Sequence, residues 1–208
     1  MSYPQYGVYL IPPPHLMHAL GLAHELLGSQ FNTRIAGRFM SHCTVKGFFK
    51  LAEGLSPADF IPALDKLFSR FSAFPTEIVA IHPLNQGAKG ISILSEVQNS
   101  EVFRHFQAEI WDNLRPVIAP DCLFTPGDGF GPGFWPHFTL AQADAPHDPG
   151  LLAQAVGLCQ YIFERSLKGP FLAQDMQLIE FYSDDWAGPW GDTLSYRQLK
   201  GWRLPDPI

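Results

Sequence analysis

The sequence predicts an α+β protein built as two lobes around a central cleft. Two short segments, SHCTVKGFF from Ser41 and WPHFTLAQ from Trp135, each contain a histidine, one spacer residue and a threonine within a strand-like apolar run. The predicted strands and helices around the two runs follow the same order. With 208 residues, of which 46% are hydrophobic and 13% aromatic, the chain can bury a sizeable core.

The first half of the chain predicts a strand, a helix, the first His-x-Thr strand and a second helix. YGVYLI forms the first strand, Tyr6–Ile11, and the following PPP ends it because proline lacks the donor that strand pairing needs. A helix is expected at about 15–27, with Gly28 ending it. LSPADF starts the second helix, with Ser56 as its N-cap and Pro57 at the first helical position.

The rest of the chain continues in the same order. Four further strands are predicted, at about 76–84, 90–97, 171–182 and 193–204. A helix is expected at about 100–114. After the second His-x-Thr strand, HDPG predicts a helix with Asp148 as its cap and Pro149 at its first position.

The spacing around the two motifs is also repeated. A helix starts 15 residues after His42 and 12 after His137, and the next strand begins 33 and 34 residues after the same histidines. The chain therefore reads as one bilobal domain, 1–208, with pseudo-repeat halves of about 1–97 and 90–208. Residue identity between the halves is negligible outside the motif, so the repeat is one of pattern. If the lobes pair symmetrically, the two motif strands face each other across a cleft.

The motif residues suit chemistry on a phosphodiester. In a strand, residues i and i+2 point to the same side, so His42 shares a face with Thr44, and His137 with Thr139. Histidine titrates near neutral pH, so one imidazole can take a proton from water while the other protonates the leaving oxygen. The threonine hydroxyls can donate to the non-bridging phosphoryl oxygens. Such a site needs no metal.

Chance alone gives few such triplets. Eight histidines and six threonines among 208 residues predict about 0.2 His-x-Thr triplets, so a single one would be weak support. Two triplets at matching places in a repeated pattern favour a shared site. The alternative interpretation is that both are incidental surface residues of half-buried strands.

HCTVKGFF and PHFTLAQ resemble the paired motifs of the 2H phosphoesterase superfamily, which includes 2′-5′ RNA ligase-like proteins and cyclic nucleotide phosphodiesterases. The resemblance implies a bilobal, pseudo-two-fold fold in which two antiparallel sheets flank a central cleft and the helices lie outside. It implies metal-independent hydrolysis of cyclic phosphates, typically 2′,3′-cyclic ends that give 2′-phosphates, or a related ligation. It assigns His42 and His137 as the acid/base pair and Thr44 and Thr139 as the phosphate ligands, without a cofactor.

Four more residues are candidate substrate contacts. Lys46 lies four residues after His42 and is expected on the same face, where it either attracts the phosphate or is an ordinary strand-edge lysine. Trp135 either stacks on a base or packs at the strand entrance. Tyr9 and Tyr196, on the first and last strands, either line the cleft or pack in the core or at the rim.

Three other segments are interpreted without a catalytic role. His15, His18 and His24 share the first predicted helix, but no further ligand accompanies them, so a metal site is not expected. The segment GDGFGPG lacks the Lys-Ser/Thr of a nucleotide P-loop and is interpreted as a loop bordering the cleft. SDDWAGPWGD is interpreted as the loop between the last two strands, because its carboxylates would repel a phosphate substrate.

Charge and composition bound the partners. The net charge of −6 and the lack of a long basic run disfavour tight binding of duplex nucleic acid, and leave a small nucleotide or an RNA end. No segment approaches the roughly 18 apolar residues that span a membrane, and the N-terminus does not read as a signal peptide. Three cysteines without metal-like spacing are expected to be reduced thiols. A cytoplasmic monomer is expected.

The hypothesis from sequence is therefore a phosphoesterase acting on a cyclic phosphodiester of a nucleotide or RNA end. Two alternatives stay open: a 2′-5′ RNA ligase-type end-processing enzyme, and a nucleotide- or RNA-end-binding module without turnover. The pseudo-symmetry of the motifs permits either histidine to be the base.

Overall fold

The computed structural model of the chain describes residues 3–124 and 133–207. The segment GDGFGPG lies outside these ranges except for Gly133. The strands are β1 (Gln5–Ile11), β2 (Cys43–Phe49), β3 (Phe74–Asn85), β4 (Ile91–Val97), β5 (His137–Ala141), β6 (Pro170–Ala173), β7 (Asp175–Tyr182) and β8 (Ser195–Arg203). The α-helices are α1 (Pro14–Phe31), α2 (Ile61–Phe68), α3 (Glu101–Leu114) and α4 (Pro149–Ile162).

The strands form one antiparallel sheet in the order β6-β3-β4-β5-β2-β1-β7-β8. Its two four-stranded halves correspond to the two sheets expected on either side of the cleft, and the predicted α+β class is confirmed. The halves meet at β2 and β5, where one residue pair, Cys43 with Phe138, joins them. The two motif strands are therefore the innermost strands of the sheet.

The sequence repeat does not divide the sheet into two contiguous pieces. Each motif strand lies beside the strand that precedes it in the chain: β2 pairs with β1, and β5 with β4. Several strands that follow a motif lie in the opposite half: β3 joins β4 in the half that contains β5, whereas β7 pairs with β1, and β8 with β7, in the half that contains β2. The short strand β6 stays in the half that contains β5, beside β3. Exchange of strands ties the two sequence halves into one unit.

Local sequence signals explain most helix ends. Asp148 caps α4, accepting a hydrogen bond from the Leu151 N–H at 2.9 Å, as predicted. The Ser56 signal starts a 3₁₀ turn, after which α2 begins at Ile61. Helix α1 passes the expected stop at Gly28 and ends at Phe31. Its C-cap, Asn32, adopts the left-handed conformation (φ 58°) that asparagine tolerates better than most residues.

Side-chain alternation along β1 separates two apolar layers. Val8 and Leu10 belong to the main core, which the helices also line. Tyr9 and Ile11 face the other way and join a second cluster that includes Phe181. The strand is consequently buried along its whole length. Within the described ranges, no helix combines the length and apolar character needed to cross a membrane.

Candidate active site

The central pair of the sheet positions both motifs. Cys43 and Phe138 are buried and face the main core. Continuing their antiparallel register by one step each way sets His42 opposite Thr139 and Thr44 opposite His137. The spacers thus anchor the strands, while the four flanking polar side chains point to the other face. They are related by a pseudo-two-fold axis through the central pair.

One cavity contains all four motif residues. It has a volume of about 840 Å³, counted out to its open mouth. Its lining includes His42, Thr44, His137 and Thr139. It also includes Tyr9, His24, Arg38, Phe39, Phe48 and Trp190. Two imidazoles and two hydroxyls therefore converge, as expected from the sequence.

The two motif histidines make the same backbone contact. His42 Nδ1 donates to the carbonyl of Met40 at 2.7 Å, and His137 Nδ1 donates to the carbonyl of Trp135 at 2.8 Å. Because a carbonyl can only accept, the proton of each neutral ring sits on Nδ1. Nε2 is left as the free lone pair in the cavity that both rings line. Each imidazole is thus held in the tautomer that a general base requires.

Burial lowers the pKa of both motif histidines. The pKa of His42 falls to about 4, chiefly through desolvation, with a smaller contribution from the charge of His137. The hydrogen bond to the Met40 carbonyl acts in the opposite direction. The pKa of His137 is also lowered by desolvation, but less. Two neutral rings at neutral pH, with His42 the harder to protonate, are the resting state.

Aromatic rings fix the position of His42. The Phe39 ring centroid lies 4.3 Å from the His42 ring and the Tyr9 centroid 4.7 Å from it, both in edge-on arrangements. Tyr9 is buried and itself lies over Gly7, where a Cβ would collide with the tyrosine Oη. Tyr9 therefore lines the cavity and packs in the second cluster, so both interpretations made from sequence apply.

His24 belongs to the site, although no sequence pattern indicated that it would. Its Nε2 donates to the Thr139 carbonyl at 2.9 Å, connecting α1 to β5 across 115 residues. Desolvation lowers its pKa, so the ring is neutral at neutral pH. Groups of three or more His, Cys, Asp or Glu able to hold a metal ion are not found in the described part of the chain.

The placement of Lys46 differs from the expectation. Register shifts on either side of Val8 put two residues of β2 against one of β1, so Thr44 pairs with Tyr9 but Lys46 pairs with Val8. This irregularity breaks the simple alternation and turns Lys46 to the core side. There its ammonium is buried, donates to the Gly47 carbonyl at 3.0 Å and lies 5.1 Å from the Trp111 ring.

Lys46 keeps a link to the site through an adjoining cavity, which Thr44, Trp135 and His137 also line. Trp135 does not line the central cavity, although its ring lies 5.4 Å from that of His137 and its side chain is 37% exposed. Tyr196 is exposed at the rim, 5.2 Å from the Phe39 ring, and does not line the central cavity either.

The loop between β7 and β8 contributes to the cavity, which was not predicted from the sequence. SDDWAGPWGD does connect these strands, but its Trp190 and Gly191 line the central cavity. Arg38 reaches this loop from the segment before β2, donating to the Gly191 carbonyl at 3.1 Å. The sequence signal that could have indicated this contribution is the presence of two tryptophans in one polar loop. The carboxylate of Asp192 is held by Arg38 at 3.2 Å.

Comparison with known proteins identifies the family of this chain. The family model described as the 2′-5′ RNA ligase superfamily matches residues 12–185. A search of the curated proteins found no match.

Solved structures share the fold at low sequence identity. TT0787 of Thermus thermophilus matches with a TM-score of 0.64 and 15% identity, covering 98% of this chain and 100% of its own. A crystal structure of a phosphoesterase matches with a TM-score of 0.57 and 14% identity, covering 97% of this chain and 99% of its own. E. coli LigT complexed with NADP+ matches with a TM-score of 0.54 and 15% identity, covering 98% of this chain and 99% of its own. Further crystal structures of LigT contain 3′-AMP, phosphate or ATP. The chain belongs to the 2′-5′ RNA ligase superfamily.

Proposed function

We propose that this protein is a metal-independent phosphoesterase that hydrolyses a cyclic phosphodiester, a 2′,3′-cyclic nucleotide or RNA end. One observation carries the proposal: two histidines, each held through Nδ1 by a carbonyl two residues earlier, share a cavity with two threonine hydroxyls. The superfamily, and the nucleotides and phosphate held by LigT crystals, support a nucleotide phosphate as the substrate class.

In this proposal His42 is the general base. Its low pKa keeps the ring neutral, so Nε2 can accept a proton from water as the water oxygen attacks phosphorus. His137, which protonates more readily, is the general acid and gives its Nε2 proton to the leaving ribose oxygen as the P–O bond breaks. One proton enters at His42 and one leaves from His137. Exchange with solvent then restores the starting state.

The remaining groups serve the phosphate. The hydroxyls of Thr44 and Thr139 donate to the non-bridging oxygens, on which negative charge builds in the transition state. A bound phosphodiester anion also raises the pKa of both imidazoles, which favours the protonated acid in the complex. In these steps, hydrogen-bond donors stabilise the negative charge on the phosphoryl oxygens.

A ligase-type reaction is the second candidate, favoured by the superfamily that matches the chain. The same base would then deprotonate an RNA 5′-hydroxyl in place of water, and the same acid would protonate the same leaving oxygen. The four motif side chains keep their roles. Hydrolysis and ligation differ only in the nucleophile that the cleft admits.

The test is turnover of the four 2′,3′-cyclic nucleoside monophosphates by the purified protein in the presence of EDTA, with 2′- and 3′-phosphate products separated. We expect one product isomer. His42→Ala and His137→Ala should each lower kcat/KM by about 10²–10⁴-fold, while His147→Ala, at an exposed position, should not. Activity that survives both substitutions would show that the chemistry lies elsewhere. Binding of nucleotides without turnover, including of cyclic-phosphate RNA ends, would indicate a binding module.

A further inference from the structure

We infer that the central cavity selects a small substrate with one phosphodiester and one aromatic base, a mononucleoside 2′,3′-cyclic phosphate, over a polynucleotide with the same end. The inference rests on the proposed function and narrows its substrate class. Two independent observations carry it: the pairing of the cationic side chains, and the aromatic wall of the cavity.

Most cations of this protein already have an anionic partner. All 14 Lys and Arg residues lie within the described residues. At least eight of them contact a carboxylate: Arg38, Lys50, Arg70, Arg115, Lys168, Arg197, Lys200 and Arg203. Binding along a nucleic-acid backbone depends on cations that neutralise successive phosphates and release their counterions. A protein with a net charge of −6 and paired cations is poorly equipped for it.

The cavity offers charge for about one phosphate. Among the described residues that line it, Arg38 is the one Lys or Arg, and it is shared with the carboxylate of Asp192 at 3.2 Å. Lys46 is buried in the adjoining cavity, on the far side of Thr44 and His137. A phosphate beside the histidines thus meets at most two such cations. A second or third phosphate along a strand would meet none inside the cavity.

An aromatic wall provides the other half of the selection. Phe39, Phe48 and Trp190 are half-buried and line the cavity. Phe48 and Trp190 pack edge to face, with centroids 5.1 Å apart. Stacking of a base on such rings contributes about 1–3 kcal/mol and tolerates any base. The wall therefore favours a nucleoside without fixing which one.

The wall begins beside the reacting groups and is held in place. Phe39 packs at 4.3 Å on His42, so the base of the nucleoside that bears the phosphate is the base within reach. Trp190 is fixed through its backbone: its N–H donates to the Gly188 carbonyl at 2.8 Å, and its carbonyl accepts from Ser183 Oγ at 3.0 Å.

The first experiment compares two substrates that share the reacting end. One is a 2′,3′-cyclic nucleoside monophosphate; the other is an oligonucleotide that ends in the same nucleoside 2′,3′-cyclic phosphate. We measure kcat/KM for both between about 50 and 200 mM salt, where each phosphate contact to a single strand contributes a log–log slope of about −0.7. We expect kcat/KM for the mononucleotide to equal or exceed that for the oligonucleotide. For both substrates the salt dependence should have the slope that corresponds to one or two phosphate contacts.

The second experiment tests the wall. Trp190→Ala should raise KM for the cyclic nucleotide by about 5- to 150-fold, the equivalent of one lost stacking contact. It should leave KM for a base-free cyclic phosphodiester, glycerol 1,2-cyclic phosphate, unchanged. Trp190→Phe should recover most of the loss, which separates stacking from a folding defect. Tyr161→Ala, at an exposed ring far along α4, is the matched control.

The outcomes separate this inference from the proposed function. A preference of tenfold or more for the oligonucleotide, or a slope that steepens with its length, would overturn the inference and leave the phosphoesterase activity standing. If neither substrate turns over, the proposed function fails. Tryptophan fluorescence titration with nucleoside 2′- and 3′-monophosphates, against oligonucleotides ending in the same phosphates, then decides the selectivity by binding alone. Tighter binding of the oligonucleotides would overturn it.

Discussion

His24 Nε2 donates a hydrogen bond to the main-chain carbonyl of Thr139, at 2.9 Å. The contact links α1 to the strand that carries the second motif, and His24 lines the same cavity as the motif residues. It does not engage the Thr139 hydroxyl, which stays available. We propose that His24 is a positioning residue, which acts through this strand.

The first prediction concerns this contact. His24→Leu removes the donor and should lower kcat by about 2- to 10-fold, with a smaller effect on KM, because one neutral hydrogen bond contributes about 0.5–1.5 kcal/mol. His24→Gln places a donor at a similar distance and should restore most of kcat. Steady-state kinetics with both variants, alongside their thermal unfolding midpoints, provides the check. A glutamine variant no better than the leucine variant at equal stability would contradict the positioning role.

The second prediction concerns the pH dependence of catalysis. In the proposed mechanism the productive state has His42 neutral and His137 protonated, and this state is most populated between the two pKa values. The pKa of His42 is about 4 and that of His137 is below its ordinary value of 6.5. The profile of kcat/KM against pH should therefore be a bell with its maximum on the acidic side of 6.5. An optimum above neutral pH would exclude these assignments.

The third prediction concerns stability. His24, His42 and His137 all have a lowered pKa in the folded protein, so below the ordinary value of 6.5 the unfolded chain binds more protons than the folded one. The free energy of unfolding should fall as the pH drops from 6.5 towards the His42 pKa of about 4. Urea unfolding at several pH values measures the slope. His42→Asn should flatten it; an unchanged slope would show that the ring does not carry the effect.

The fourth prediction concerns the support of His42. A Cβ at Gly7 would collide with the Tyr9 Oη, so Gly7→Ala should displace the ring that packs on His42. We expect a loss of about 1–3 kcal/mol in stability together with a lower kcat/KM. Gly21→Ala in α1 is the matched control: no heavy atom lies within 4 Å of its Cβ, and alanine should stabilise the helix by about 0.5–1 kcal/mol. Chemical unfolding and kinetics on both variants make the comparison.

The fifth prediction concerns the threonines. Thr44→Val and Thr139→Val keep the shape of the side chain but remove the hydroxyl, and each should lower kcat/KM by about 10- to 100-fold, since hydrogen bonds to charged groups contribute about 1.5–3 kcal/mol. The serine variants should retain most of the activity. Thr76→Val, in β3, loses a hydroxyl that faces the Gln98 carbonyl and serves as control. Wild-type kinetics in both valine variants would show that the threonine hydroxyls do not contribute to catalysis.

Much of the fold follows from local signals. Asp148 with Pro149 marked the start of α4, and the apolar runs around the two motifs became the strands β2 and β5. These features depend on neighbours within a few residues, so they can be read directly from the sequence. The same holds for the α+β class and for the shared face of each histidine and its threonine.

Long-range pairing decided the rest. Lys46 left the expected face because a register shift against β1 breaks the alternation, and register depends on the partner strand rather than on β2 alone. His24 entered the site because α1 packs against β5 of the other sheet half, where the His24 ring bonds the Thr139 carbonyl. Trp190 entered it because β7 pairs with β1, which brings the β7–β8 loop to the cavity. Spacing along a strand fixes which side chains share a face, but only the packed chain decides which distant residues meet there. The sequence by itself identified the four motif residues and the face that each histidine shares with its threonine. The tertiary structure decided the paired register of the two motif strands, the third histidine and the aromatic wall that surround them.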